Sequence, residues 1–251
     1  MKKSVTIFIC ILSLIACQKQ IGIVPEKISA DILKTKGSDE SKKTNIVKSE
    51  SEGQNDDKIS EIKTINIGTQ KWMKENLNVP KYRNGDLIPK VTDPNVWVSL
   101  SSGAWCWYNN DSATYASTYG RLYNWYAVND SRGLAPIGFH IASDDEWTTL
   151  ITYLGGTTIA GGAMKETGFL HWQSPNTNAT NSSGFTGLPG GYRSDLGNFS
   201  LLGYNGAWWS SSSTSENPGN AWFRDLGHNY TIAYRYPGPK VSGFTVRCMV
   251  D

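Results

Sequence analysis

The sequence predicts an α+β domain carried behind a signal peptide and a disordered tether, and three observations lead to that architecture. An apolar run from Val5 to Ile15 is followed closely by Cys17. All ten Trp and all twelve Tyr lie beyond Ile62, so the capacity to build a core belongs to the C-terminal part. That part alternates short strand-forming stretches with loops rich in Gly, Asn and Ser, and it contains one sharply capped helix. The chain therefore divides into residues 1–16, 17–61 and 62–251.

Met1-Lys2-Lys3 is a short basic start, and the apolar run behind it is too short to span a bilayer comfortably. Ala16 is small enough for a peptidase to reach the backbone, and Cys17 supplies a thiol for a diacylglyceryl group. Residues 1–16 are thus expected to be a lipoprotein signal peptide, with Cys17 the lipidated N-terminus and a membrane its partner; an ordinary secretory signal or single anchor is the alternative. Acyl chains at Cys17 would bind a bilayer by about 0.8 kcal/mol per buried methylene. No other stretch has the roughly 18 consecutive apolar residues of a membrane-spanning helix.

Gln18 to Ser60 contains no Phe, Trp or Tyr and mixes Lys with Asp and Glu, so it has nothing with which to build a core. A flexible coil of this length reaches about 35 to 40 Å, enough to act as a stalk, although a passive linker has the same composition. No tight acidic cluster follows Cys17 before Asp39-Glu40, which leaves the membrane leaflet open.

Residues 62–251 have the usual length of one domain. Ile65 to Asn78 reads as a hairpin turning at Gly68-Thr69. Val96 to Tyr108 is dense in strand formers and runs into a turn at Asn109, Asn110 and Asp111. Tyr119 to Val128 reads as a short helix whose core face carries Leu122, Trp125 and Tyr126. Ser143 followed by Glu146 is a capping box, after which Trp147, Leu150, Ile151 and Leu154 recur at helical spacing up to Gly155-Gly156. Asp144, Asp145 and Glu146 are explained by the positive end of that helix better than by a metal or acid–base site. From Ala160 to Arg193 the density of Gly, Asn and Ser predicts irregular backbone with many positive-φ positions.

Ala207 to Ser210 and Ala221 to Leu226 read as strands, with Trp208 and Trp209 in the core. Gly243 to Met249 closes a sheet with alternating Phe244, Val246 and Cys248. The intervening 211–240 region, rich in Tyr, Asn and Ser, has the composition of a binding surface, since Tyr gives flat contact area at little entropic cost. Its candidate ligand-binding residues are Asn220, Arg224, His228, Asn229, Tyr230, Tyr234, Arg235 and Tyr236. An ordinary polar loop wall would share this composition.

Several classes are disfavoured. The net charge of +2 is spread without a basic stripe, which argues against nucleic acid. The three histidines, His140, His171 and His228, show no paired ligand spacing, and there is no nucleophile elbow or phosphate-binding glycine motif, so no enzyme, metal or cofactor is indicated. Asn109, Asn110 and Asp111 do not form a spaced calcium loop.

The block from Gly68 to Arg193, with His171-Trp-Gln-Ser-Pro and Leu188-Pro-Gly-Gly-Tyr-Arg193, together with Gly203 to Asp251, resembles the Fibrobacter succinogenes major paralogous domain. That family is related to the C-type-lectin-like and formylglycine-generating fold group. The resemblance implies a small antiparallel sheet with one or two helices and long packed loops. It implies no sulfatase-modifying chemistry, because those relatives use a cysteine pair near the C-terminus and this chain has only Cys248 there. Related domains often carry a cysteine just before Pro136, where Ala135 stands here. A Cys106–Cys248 disulfide is one pairing expected of an exported domain with two remaining cysteines.

Together these readings describe a lipid-anchored envelope protein, expected at the outer membrane on either face. Its noncatalytic recognition or adhesion domain would bind an extracellular glycan or protein through the 211–240 surface. The rival readings are a structural envelope-assembly subunit and, within the lectin-like group, a domain whose C-terminal loops are diversified by a retroelement that mutates adenines.

Overall fold

The computed structural model describes residues 62–251; the predicted signal segment 1–16, Cys17 and the tether 17–61 lie outside the described residues. The predicted opening hairpin is present as β1 (Thr64–Ile67) and β2 (Gln70–Met73), turning at Gly68 with φ +61°. It forms a four-stranded sheet with β5 (Phe139–Ile141) and β11 (Cys248–Val250), in the order β1-β2-β11-β5. The first and last strands of the domain therefore share one sheet. A second, five-stranded sheet consists of β6 (Gly190–Arg193), β7 (Phe199–Leu202), β8 (Asn205–Ser213), β9 (Asn220–Gly227) and β10 (Tyr234–Pro239). Its order is β10-β9-β8-β6-β7, and every pair is antiparallel except β6 with β8. A ribbon of β3 (Trp105–Cys106) and β4 (Leu122–Tyr123) completes the strands.

The helices are short: α1 (Pro94–Trp97), α2 (Ser112–Tyr119), α3 (Trp125–Val128), α4 (Asp144–Tyr153) and α5 (Thr157–Met164). The result is a mixed α and β domain dominated by sheet. The α4 capping box forms as read, with Ser143 Oγ accepting from Glu146 N at 3.2 Å and Glu146 Oε2 accepting from Ser143 N at 2.8 Å. The segments before it differ from expectation. Asp93 and Pro94 nucleate α1, which takes in Val96 and Trp97 at the start of the stretch read as strand formers, the Asp93 carboxylate accepting from Asn95 N at 2.8 Å. The helix predicted across Tyr119–Val128 is broken by Gly120 at φ +73°, so Leu122 lies in β4 and Asn124 caps α3. Leu122 and Trp125 are nevertheless buried, and Tyr126 is half-buried.

Helix α5 carries Gly161-Gly162 in its interior, a pairing that depresses helix propensity and hides the element from pattern reading. The glycines are required by close backbone approach. A Cβ on Gly161 would lie 2.6 Å from the carbonyl oxygen of Thr231 and 2.8 Å from that of Ile232. Gly161→Ala should therefore destabilise the domain by about 1–3 kcal/mol through overpacking, although an unobstructed helical Gly→Ala gains roughly 1 kcal/mol. Urea denaturation of the two proteins measures the sign.

Long loops are fastened by buried cations that donate to main-chain carbonyls. Arg193 reaches Gly197 O at 3.0 Å, Val91 O at 2.8 Å and Thr92 O at 3.0 Å while stacking over Trp97. Lys165 donates to Thr177 O, Gly227 O and Tyr230 O at 3.0, 2.9 and 2.8 Å. Arg247 donates to Phe185 O and to Asn76 Oδ1, the latter at 2.7 Å. The bonds to main-chain oxygens satisfy carbonyls that irregular backbone does not pair in a helix or sheet. The predicted left-handed positions are also present, at Asn176, Asn178 and Asn181.

The Cys106–Cys248 disulfide is not formed. Cys106 packs with Trp97, Tyr108 and Leu122, whereas Cys248, opposite Ile141, belongs to a separate cluster with Trp125 and Val246. Burial pushes both thiols up to about 12. Both should resist alkylation in the folded domain, and denatured protein should give the same thiol titre before and after reduction.

Candidate ligand cleft on the five-stranded sheet

Side chains alternate across the five-stranded sheet, and its two faces have different roles. Register pairs Ala207 with Asp225, Trp209 with Phe223, Tyr234 with Asp225 and Tyr236 with Phe223, which sets these residues on one face. Trp208, Trp222, Arg224, Leu226 and Arg235 occupy the other, where Trp208 and Leu226 join Trp147, Leu150 and Met164 in the core beneath α4 and α5. Both Trp208 and Trp209 are fully buried, as expected of them.

On the first face, the inner half meets the core and the outer half opens as a cleft of about 450 Å³. Its aromatic wall is continuous. Tyr234 stacks on Tyr236 at 5.1 Å, Tyr236 meets Phe223 at 6.0 Å, Phe223 meets Phe244 at 4.4 Å, and Phe244 meets Tyr192 edge-on at 5.7 Å. Beside this wall sits a polar group built from β8, β9 and the loop before β10. Asn205 Nδ2 donates to both Asp225 carboxylate oxygens at 3.0 Å and lies 3.1 Å from the Tyr230 hydroxyl. The Tyr230 hydroxyl donates to Asp225 Oδ1. Burial raises the Asp225 carboxyl, and the bonds from Tyr230 and Asn205 only partly counter it. Burial, with the neighbouring Asp225 charge, likewise raises the Tyr230 phenol, so it remains a donor.

The rim is shaped by backbone. Leu201 takes φ +61°, an uncommon conformation for a bulky residue, and lines the opening. Pro237 and Pro239 lie on β10, at the edge of the sheet; neither has an N–H to offer, so the edge is blunted against strand addition.

Of the residues proposed from sequence, Tyr230 and Tyr236 line the cleft and Tyr234 supports Tyr236 by stacking. Arg224 and Arg235 do not belong to this surface. Strand alternation turns them to the opposite face, where Arg224, 1% exposed, donates to Asp144 at 2.7 Å and Arg235 bridges Asp144 at 2.8 Å while stacking on Trp222. Asn220 begins β9, where its main chain bonds Thr214. His228 Nδ1 lies 3.0 Å from Ser174 O, with its ring edge-on to Tyr204, and Asn229 is exposed beside it. Neither His228 nor Asn229 lines the cleft.

Sequence reasoning missed Tyr192, Asn205, Phe223, Asp225 and Phe244. One signal was available: in Ala221-Trp-Phe-Arg-Asp-Leu226, period-2 alternation groups Phe223 with Asp225 and separates both from Arg224. The groove assembled from β6, β8, β9, β10 and the Ser242–Phe244 segment depends on the sheet order, which local patterns do not encode.

Among the described residues, no group of three or more His, Cys, Asp or Glu side chains is arranged to hold a metal ion, and no helix is long and apolar enough to cross a membrane. Searches among curated proteins and among solved structures return no match. Residues 65–249 match the Fibrobacter succinogenes major domain, a span that begins in β1 and ends in β11. With about three quarters of its sequence accounted for by that match, the chain belongs to the Fibrobacter succinogenes major domain family.

Proposed function

We propose that this domain is a noncatalytic recognition module that binds a saccharide in the cleft on the five-stranded sheet. One observation carries the reading: an unbroken aromatic wall adjoins a preorganised Asn205–Asp225–Tyr230 hydrogen-bonding group in the same concavity. Sugar rings present C–H faces that stack on aromatic rings and hydroxyls that bond carboxylates and amides. A cleft of about 450 Å³ falls within the roughly 300–1,000 Å³ typical of small-ligand sites. A lipid at Cys17 and the 17–61 tether would hold the module at the cell envelope, and the leaflet decides whether its ligand is extracellular. Kinship with the C-type-lectin-like group is supported by the antiparallel strands, the long packed loops and the presence of the first and last strands in one sheet.

A glycan array probed with the full-length chain and its Tyr236→Ala variant tests the reading, with Asn229→Ala as an exposed control outside the cleft. Glycan binding lost in Tyr236→Ala and kept in Asn229→Ala is expected. Binding indifferent to Tyr236 would remove the cleft from consideration. Protease accessibility on intact and lysed cells assigns the leaflet.

A further inference from the structure

Resting on the reading of the cleft as a saccharide site, we infer that its ligand carries a free, cationic amine and seats that ammonium against Asp225. The cleft contains two carboxylates, Asp195 at the rim and Asp225 within, and no Lys, Arg or His among its lining residues. This acidity does not follow from composition, because the whole chain carries a net charge of +2. Asp225 is 8% exposed, yet neutral groups supply its side-chain bonds and no Lys, Arg or His forms a salt bridge with it among the described residues. A buried carboxylate without a counter-ion is costly, and most such groups are paired.

The cations next along the strands do not fill this need. Arg224 and Arg235 turn to the opposite face, where Asp144 engages them both. The missing positive charge can come from a ligand. Aromatic faces carry a negative quadrupole, so the Tyr236 and Phe223 rings favour a cation as well as a stacked sugar face. Each Asp225 oxygen already accepts from Asn205, and Oδ1 also accepts from Tyr230, which leaves Oδ2 the greater capacity for a further donor. A lysine-bearing peptide has the same ammonium, but the prolines on edge strand β10 deny it the main-chain pairing that extended peptides use. The polar groups lining the cleft, Asn205 and Tyr230 at Asp225 and buried Ser242, instead suit a ring bearing several hydroxyls.

Calorimetric titration of the full-length chain with glucosamine tetramer and with N-acetylglucosamine tetramer tests this inference. The two probes differ in charge at the same nitrogen, and comparing them on the wild type requires no variant to fold. The amine form should bind at least tenfold tighter. Asp225→Asn should abolish that preference, and Tyr236→Ala should weaken both forms. Equal or tighter binding of the N-acetyl form, still weakened by Tyr236→Ala, overturns the amine inference and leaves the saccharide reading standing. Failure of both tetramers overturns the inference; the glycan array then decides separately whether the cleft binds another sugar.

Discussion

Replacing Asp144 by alanine is expected to destabilise the domain by about 3–5 kcal/mol, because it strands a buried guanidinium. Arg224 is 1% exposed and donates to Asp144 Oδ1 at 2.7 Å and to the Asp144 carbonyl at 3.0 Å. Arg235 completes the cluster from β10, its Nη2 2.8 Å from Oδ2. Without the carboxylate, Arg224 keeps only neutral acceptors, the Asp144 carbonyl and the Thr148 hydroxyl. Asp145→Ala, at the exposed neighbouring position, should cost less than about 1 kcal/mol, the value of a first-turn charge alone. Urea denaturation distinguishes the two. Asp144→Leu combined with Arg224→Met should recover much of the loss, since a well-packed apolar pair often matches a buried ion pair.

The same cluster makes a signed pH prediction. Burial would raise the Asp144 carboxyl, but hydrogen bonds from Arg235 and Arg224 outweigh it and hold the group below its ordinary value. A depressed carboxyl in the folded state contributes stability that is complete above the unfolded value of about 3.9. That contribution disappears as pH falls through the folded value. The wild type should therefore lose its advantage over Asp144→Ala below pH 4.

Lys165→Met carries the second large effect, and it connects the core to the cleft. The Lys165 ammonium holds Thr177, Gly227 and Tyr230 by their carbonyls, and the last two flank the turn that presents the Tyr230 hydroxyl to Asp225. Leaving three carbonyls without a donor costs about 1–3 kcal/mol each, offset in part by no longer burying a charge. A net loss of about 3 kcal/mol is expected, together with weaker saccharide binding at a temperature where the variant remains folded. Burial pulls Lys165 down to about 8, against an unfolded value near 10.4. The unfolded chain thus holds the proton more tightly, so an unfavourable contribution is present below about pH 8 and relieved between about 8 and 10.4. Across that window the wild type should gain stability relative to Lys165→Met.

Helix α4 was legible because its capping box and apolar spacing are local, and Trp208 and Trp209 because large aromatics in a strand seek the core. The β9 segment is recognisable from its alternation, whereas Pro237, Gly238 and Pro239 contradict strand propensity and conceal β10; at a sheet edge those residues are tolerated. Helix α5 was hidden by glycines chosen for contact with the 231–232 backbone. The composition of the 211–240 region singles out Tyr230 and Tyr236, which the fold places in the lining of the cleft. It could not separate Arg224 and Arg235 from them, because facing follows from register, nor could it bring in Tyr192 and Asn205 from β6 and β8.

The most direct test of the account follows the Asn205 side-chain amide by NMR as glucosamine tetramer is added to the full-length chain. That amide bonds both Asp225 oxygens at 3.0 Å and sits within the cleft lining. Saturable shifts of the Asn205 amide together with Tyr230 and Tyr236, while Trp222 on the opposite face stays still, are the predicted result. Saturable shifts confined to Trp222 and Arg235, with Asn205 unmoved, would place the ligand on the other face and contradict the assignment of the cleft.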